Sequence, residues 1–204
     1  MFALVRTEAP PLDAAQAVAL AASLHRAAAA WTRTFLASAG RPDPQLADAL
    51  CRETLAFGLA LLESRLASSD PAQAADFLAT VRQEVWSLHA RRTRRAVRPA
   101  LAAATAEATE FDRQWLARTA SGAGEFQFTG AMFEEFCEFT GLASRELVGG
   151  GDNLAALVFY LAIHGRVFAS ATVPRDQRRW LVRAARECRL FLTQALDHWL
   201  KSKL

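Results

Sequence analysis

The chain has 204 residues, of which 52% are hydrophobic and 22% are charged, and its formal net charge is +3. This length suits one domain with a sizeable core, and the mildly basic charge does not by itself indicate nucleic-acid binding. The longest apolar run, residues 154–163, is far shorter than the roughly 20 residues that a membrane-spanning helix needs. We therefore expect no transmembrane segment.

The cysteines and the N-terminus indicate a reducing compartment. The three cysteines are odd in number, widely spaced and free of CxxC pairs, a pattern typical of buried thiols rather than disulfides. The apolar start of the chain is interrupted by Arg6, Glu8 and two prolines before any signal-peptide core forms. The expected location is cytoplasmic.

The composition predicts an all-α protein. Alanine, the strongest helix former, makes up about a fifth of the chain, and only one isoleucine occurs. We expect an extended arm over residues 1–11 and one globular bundle over residues 12–204. The bundle should contain about six or seven helices around a buried central helix at residues 152–170.

Three helices with clear start signals come first. The first, about residues 12–38, has apolar residues at three- and four-residue steps. The second and third begin at Asp43-Pro44 and Asp70-Pro71, where the aspartate is the N-cap and proline occupies the first turn. The third has an inward stripe that ends at Leu88.

The pattern changes after Leu88, because arginines then occupy the apolar stripe. Five arginines fall within eight residues, and no acidic residue lies between Glu84 and Glu107. The core face therefore stops here, and the helix either projects beyond the bundle or turns before Pro99.

The second half of the chain begins with a helix at 99–118 and a loop at 119–125. A short helix should follow from Thr129 to Thr140, with Gly141 just after its end. The last helix starts after Pro174 and carries an outward basic stripe at every third or fourth residue: Arg175, Arg179, Arg183 and Arg186.

The predicted central helix follows the triple glycine at 149–151. Residues 154–163 are apolar except for the Tyr160 hydroxyl, so the helix has no face for water. Tyr160 and His164 are four residues apart and share a face. They are the candidate ligand-binding residues, and a carboxylate such as that of Glu53 could orient the imidazole.

No motif of catalysis or metal binding is present. The four histidines lie on four predicted helices without ExxH or HExxH spacing, and no serine stands in a GxSxG context. We therefore expect no metal and no cofactor, and catalytic residues stay unassigned. The sequence leaves open whether the protein is an enzyme, and the lack of a catalytic motif favours a non-catalytic protein.

The arginine run is the candidate partner-binding surface. Trp86 points away from the inward stripe of the third helix and should lie beside the run. The candidate residues are Trp86, Arg91, Arg92, Arg94, Arg95 and Arg98. The alternative is a solvated face paired with Glu107, Glu110 and Asp112.

Three functions remain for a chain of this kind. The first is a non-catalytic protein-interaction or regulatory module, with a protein partner or a second copy of the chain at the arginine run. The second is a helical small-ligand binder or enzyme with a pocket near Tyr160 and His164. The third is nucleic-acid binding by the Arg91–Arg98 face, which lacks aromatic side chains for base stacking.

Overall fold

The computed structural model describes residues 13–40, 43–67, 70–93, 98–121, 134, 136–138, 141, 151–168 and 173–201. Within these ranges the chain forms six long helices, a short helical piece that includes residues 136–138, and no strand, which confirms the all-α class. The long helices are α1 (Ala14–Ser38), α2 (Pro44–Leu66), α3 (Pro71–Thr93), α4 (Arg98–Ser121), α5 (Gly151–Val167) and α6 (Arg175–Lys201). The arm at 1–11, Thr129 and most of the loop at 119–125 lie outside the described residues.

The predicted helix starts are explained by aspartate caps. Asp43 accepts a hydrogen bond from the Gln45 amide at 2.8 Å, and Asp70 accepts one from the Gln73 amide at 3.0 Å. The first helix starts at Ala14 rather than at residue 12, because Asp13 caps it in a reciprocal capping box with Gln16. Each cap satisfies amides that a helix start leaves unbonded.

The end of the short helix near residue 140 follows the prediction for Gly141. Residues 136–138 are helical, and Gly141 has a φ of +70°. Its amide donates to the carbonyl oxygen of Cys137 at 3.0 Å. This is the left-handed cap that glycine favours after the last helical turn.

The core is shared among several helices. In α5, every residue from Ala155 to Ile163 is buried, which confirms the burial predicted for this helix. Its place at the centre of the bundle stays a prediction. The helix that contacts all five other described helices is α2.

A close approach between α1 and α2 fixes part of this core. A Cβ on Gly58 would lie 2.6 Å from Leu24 Cδ1, so only glycine leaves room for the leucine at this crossing. Both residues are buried, and the surrounding α2 leucines are fully buried as well. The hydrophobic free energy of these side chains stabilises the bundle, at roughly 25 cal/mol per Å² of apolar surface removed from water.

The core face of α3 does not stop at Leu88 as expected. The helix continues to Thr93, and Trp86, His89 and Ala90 are all buried. The buried face rotates around the helix because α3 meets α1 along one side and α4 along another. Arg91 and Arg92 are the first residues of this last turn to reach solvent.

None of the described helices is both long enough and apolar enough to cross a bilayer.

Candidate functional site

A groove of about 300 Å³ opens where α1, α2 and α3 meet. The polar groups on its walls come from all three helices: His25, Thr32, Asp48, Cys51, His89 and Arg92. The remaining wall is mostly apolar, and the small side chains of Ala29 and Ala47 leave the space open. A groove with apolar walls and a few convergent polar groups is typical of a small-molecule site.

The spacing of the lining residues follows the helical repeat. On α1, His25, Ala29 and Thr32 are four and three residues apart, and on α2, Ala47 and Cys51 are four apart. Residues at these spacings share one face of a helix. Each helix therefore presents a short stripe to the same opening.

Two histidines that are 64 positions apart in sequence meet in this groove. The ring centroids of His25 and His89 are 5.9 Å apart. His89 Nε2 lies 3.2 Å from Asp48 Oδ1, and Arg52 Nε lies 3.4 Å from the other oxygen of that carboxylate. The Asp48 carboxylate thus lies between the imidazole of His89 and the guanidinium of Arg52.

His25 is the most unusual polar group of the groove. Its side chain is 3% exposed, and Nε2 has no hydrogen-bond partner among the described residues. Burial, followed by the positive charge of Arg92 and the neighbouring His89, lowers the pKa of His25 to about 4. The imidazole is therefore neutral at pH 7, with one nitrogen that can donate and one that can accept a hydrogen bond.

Cys51 and Thr32 form the inner wall beside His25. Burial raises the pKa of the Cys51 thiol to about 12, and Asp48 adds to the effect. The thiol is therefore protonated at neutral pH and acts as an apolar wall rather than as a nucleophile. The buried Thr32 hydroxyl lies beside the Cys51 thiol, which forms only weak hydrogen bonds. No described oxygen or nitrogen forms a hydrogen bond with this hydroxyl.

The His, Asp and Cys side chains of the groove can be compared with the grouping that metal ligands need. Among the described residues, no three side chains of His, Cys, Asp or Glu are grouped so that they could hold a metal ion. His25, His89, Asp48 and Cys51 share the groove without forming such a set. The polar side chains of these walls are hydrogen-bonding groups.

Tyr160 and His164 lie on one face of α5, as their spacing predicts. Tyr160 is fully buried, and its ring centroid is 5.3 Å from that of Phe136 and 6.1 Å from that of His164. Burial and then Arg178 lower the pKa of His164. Neither side chain lines the His25 groove or three further cavities at the surface of the described residues. A ligand site at this pair stays a prediction.

The carboxylate of Glu53 accepts hydrogen bonds from Trp115 and Arg166. Glu53 is 1% exposed and accepts a hydrogen bond from Trp115 Nε1 at 3.1 Å. Arg166, two residues after His164, donates to the same carboxylate through Nε and Nη2, each at 3.3 Å. Glu53 therefore joins α2, α4 and α5 and neutralises a cation at the bundle edge.

The arginine run is only partly described. Arg91 and Arg92 are exposed, whereas Arg94, Arg95 and the side chain of Arg98 lie outside the described residues. Two of the acids expected to pair with the run bind elsewhere: Glu110 binds Arg113 at 2.6 Å, and Asp112 pairs with Arg82. A partner site at Arg91–Arg98 stays a prediction.

Trp86 points away from the inward stripe of α3 but does not reach the surface as expected. Its side chain is 1% exposed, and its ring packs edge-on against Phe111 at 6.0 Å between centroids. The second wall of α3 faces α4, so a side chain that points away from Val81 and Val85 still enters the core. A buried indole cannot contact a partner at the surface.

The groove beside His25 was missed from the sequence. The residues that form it come from three helices, and no local motif links them. The helical repeat gave no signal for His25, because it lies one residue after the buried Leu24 and therefore about 100° around the helix. Comparison of the chain with protein-family models, curated proteins and solved structures gives no significant match.

Proposed function

We propose that the protein binds a small organic molecule in the groove between α1, α2 and α3. The observation that carries the proposal is the buried His25 in the groove wall, whose Nε2 has no described hydrogen-bond partner. An unpaired buried polar atom costs roughly 1–3 kcal/mol, so a ligand that bonds it recovers that free energy. An apolar residue at position 25 would give a more stable protein than histidine, because it would leave no unpaired polar atom in the core.

The walls favour a small organic acid with an apolar body. Ala29, Ala47 and the protonated Cys51 thiol accept an apolar body, and His25 offers a neutral hydrogen-bonding group. At the mouth, the exposed Arg33 and Arg92 supply positive charge for a carboxylate. The charge of Asp48 is offset by Arg52, whose Nε lies 3.4 Å from the carboxylate.

The experiment measures the binding of benzoate and phenylacetate, with benzyl alcohol and benzylamine as uncharged and cationic comparators. Calorimetric titration of the wild type should rank the acids above the alcohol and the alcohol above the amine. The variants His25→Leu and Ala47→Phe should each weaken the binding of the acids at least tenfold. The first removes the hydrogen bond, and the second fills the groove.

Two controls make the result decisive. Ala75→Phe adds the same bulk at an exposed position of α3 and should leave the affinity within twofold. Arg92→Gln should weaken the acids and leave the alcohol unchanged, because it removes only charge at the mouth. Equal affinity of wild type and Ala47→Phe for every probe, with folding checked by circular dichroism, would reject the groove as the site.

Tyr160 and His164 are the alternative location for the ligand. A Tyr160→Phe variant separates the two sites, because it leaves the walls of the His25 groove unchanged. Loss of probe binding in this variant alone would move the proposal to α5.

Protein binding at the end of α3 is the second candidate function. Its support is that Arg91 and Arg92 are exposed and that no described acid lies within 4 Å of either guanidinium. A pull-down with an Arg91→Glu, Arg92→Glu variant tests it, and unchanged recovery of partners would reject it.

A further inference from the structure

The N-terminal half of α6 carries the densest positive charge among the described helices. Residues 175–189 contain six arginines against one aspartate and one glutamate, a net charge of +4 where the whole chain has +3. Four of the arginines recur at steps of four, four and three residues, so they fall on one face. All four are exposed, and they form what we call the α6 stripe: Arg175, Arg179, Arg183 and Arg186.

The α6 stripe borders two connected depressions. The first, of about 380 Å³, is lined by Arg179, Arg183 and Arg186. The second, of about 300 Å³, shares Arg186 and has an apolar wall that includes Phe136 and Leu190. With a rise of 1.5 Å per residue, the path from Arg179 to Leu190 is about 16 Å long.

The charge in the middle of the stripe is not neutralised by its described neighbours. No described acidic group lies within 4 Å of Arg183 or Arg186. Their nearest neighbours along the stripe are further arginines, and like charges one turn apart destabilise a helix by a few tenths of a kcal/mol per pair. Arg65, on the wall of the second depression, is already bound to Asp152 and Asp197.

The apolar end of the path provides a second kind of contact. Leu190 is 51% exposed, and its position on α6 continues the face of Arg179, Arg183 and Arg186. Beside it, Ala156 and Ala185 leave the depression open down to the ring of Phe136. An apolar side chain of a partner can contact Leu190 and the depression together, whereas the arginines offer only charge.

We propose that the α6 stripe binds an acidic segment of a partner protein, and that an apolar side chain at one end of this segment enters the depression beside Leu190. The segment places carboxylates against Arg179, Arg183 and Arg186. It spans about five residues if extended, since an extended chain covers about 3.3 Å per residue.

The geometry favours a protein segment over a nucleic acid. A nucleic acid would place a phosphate, not an apolar group, at the Leu190 end of the path. Bound single strands also need aromatic rings for base stacking, and no aromatic residue lies on the α6 stripe. The exposed Phe191 is one residue beyond Leu190 and therefore about 100° around the helix.

The experiment uses fluorescence polarisation with three labelled probes and the full chain. The first probe is a peptide of five alternating Glu and Asp residues followed by Leu, the second has Gly in place of Leu, and the third is a ten-nucleotide single-stranded DNA. The variant Arg183→Glu, Arg186→Glu reverses the charge at the centre of the stripe. Arg26→Glu, Arg113→Glu is the matched control, because it changes the net charge equally at two exposed sites elsewhere.

We expect the Leu peptide to bind the wild type at least fivefold more tightly than the Gly peptide and more tightly than the DNA. The stripe variant should bind it at least tenfold more weakly, and the control within threefold of the wild type. Leu190→Ser should remove the preference for the Leu peptide while keeping the affinity for the Gly peptide. Equal weakening in both charge variants, no preference for Leu, or tighter binding of the DNA would each overturn the proposal.

Discussion

Acidification tests the burial of His25, because the folded protein resists protonation of this side chain. The pKa of His25 is lowered from 6.5 to about 4 in the folded state, mainly by burial and then by the charge of Arg92. The unfolded chain takes up a proton near pH 6.5, whereas the folded chain does not until the pH is near 4. The stability that depends on neutral His25 is therefore complete above pH 6.5 and is lost as the pH falls towards 4.

The magnitude follows from the gap between the two pKa values. Each pKa unit corresponds to roughly 1.4 kcal/mol, so the full effect is about 3 kcal/mol, most of which is lost by pH 4.5. The total free energy of unfolding of a domain is typically about 5–15 kcal/mol. The titration of one imidazole should therefore be visible in an ordinary unfolding experiment.

The assay compares urea unfolding of the wild type and of His25→Leu at pH 7.5, 6.5, 5.5 and 4.5, followed by tryptophan fluorescence. Between pH 7.5 and 4.5 the wild type should lose about 2–3 kcal/mol more than the variant. The imidazole of His164, whose pKa is also lowered, titrates in both proteins and cancels in the difference. His198→Leu, at an exposed position of α6, should keep the wild-type profile. Parallel curves for the wild type and His25→Leu would refute the burial of a neutral His25.

The remaining predictions concern the core and use urea unfolding at pH 7. Glu53→Ala leaves the buried Trp115 indole and the exposed Arg166 guanidinium without their acceptor and should cost about 3 kcal/mol. Glu63→Ala, at an exposed position, should cost less than about 1 kcal/mol, and similar losses in the two variants would contradict the importance of the buried Glu53. Gly58→Ala should cost about 1–3 kcal/mol, because the new methyl group meets Leu24. Gly165→Ala meets no atom within 4 Å and should stabilise the protein by up to about 1 kcal/mol; a gain in both glycine variants would show that the α1–α2 crossing is looser than its geometry implies.

Local signals determined the helices and many of their ends. The caps at Asp43 and Asp70 and the glycine at position 141 act through bonds to amides and carbonyls a few residues away. Such bonds depend on neighbours in the sequence, so they can be recognised before any tertiary contact is known. The burial of residues 155–163 was predictable for the same reason, since an apolar helix has no face to leave in water.

The burial of α3 shows where helical periodicity fails to predict which side chains are buried. One apolar stripe suffices to bury a helix against one neighbour, but α3 contacts α1, α2 and α4. A second neighbour buries a second face, which is why Trp86 and His89 are inside although they leave the first stripe. Periodicity finds the first buried face, and only the arrangement of the helices determines how many faces a helix buries.

The sequence by itself determined an all-α chain, its helix caps, the buried α5 and the Arg stripe of α6, because each depends on residues within a few turns of one another. Only the tertiary structure brought the ring centroids of His25 on α1 and His89 on α3 to within 5.9 Å of each other. The groove beside them is lined by three helices and kept open by small side chains. The physical reason is that hydrogen bonds along a helix are local, whereas a ligand groove arises from the packing of helices that are distant in sequence. The pKa of His25 follows from the same packing, since burial and the neighbouring charges are properties of the folded chain alone.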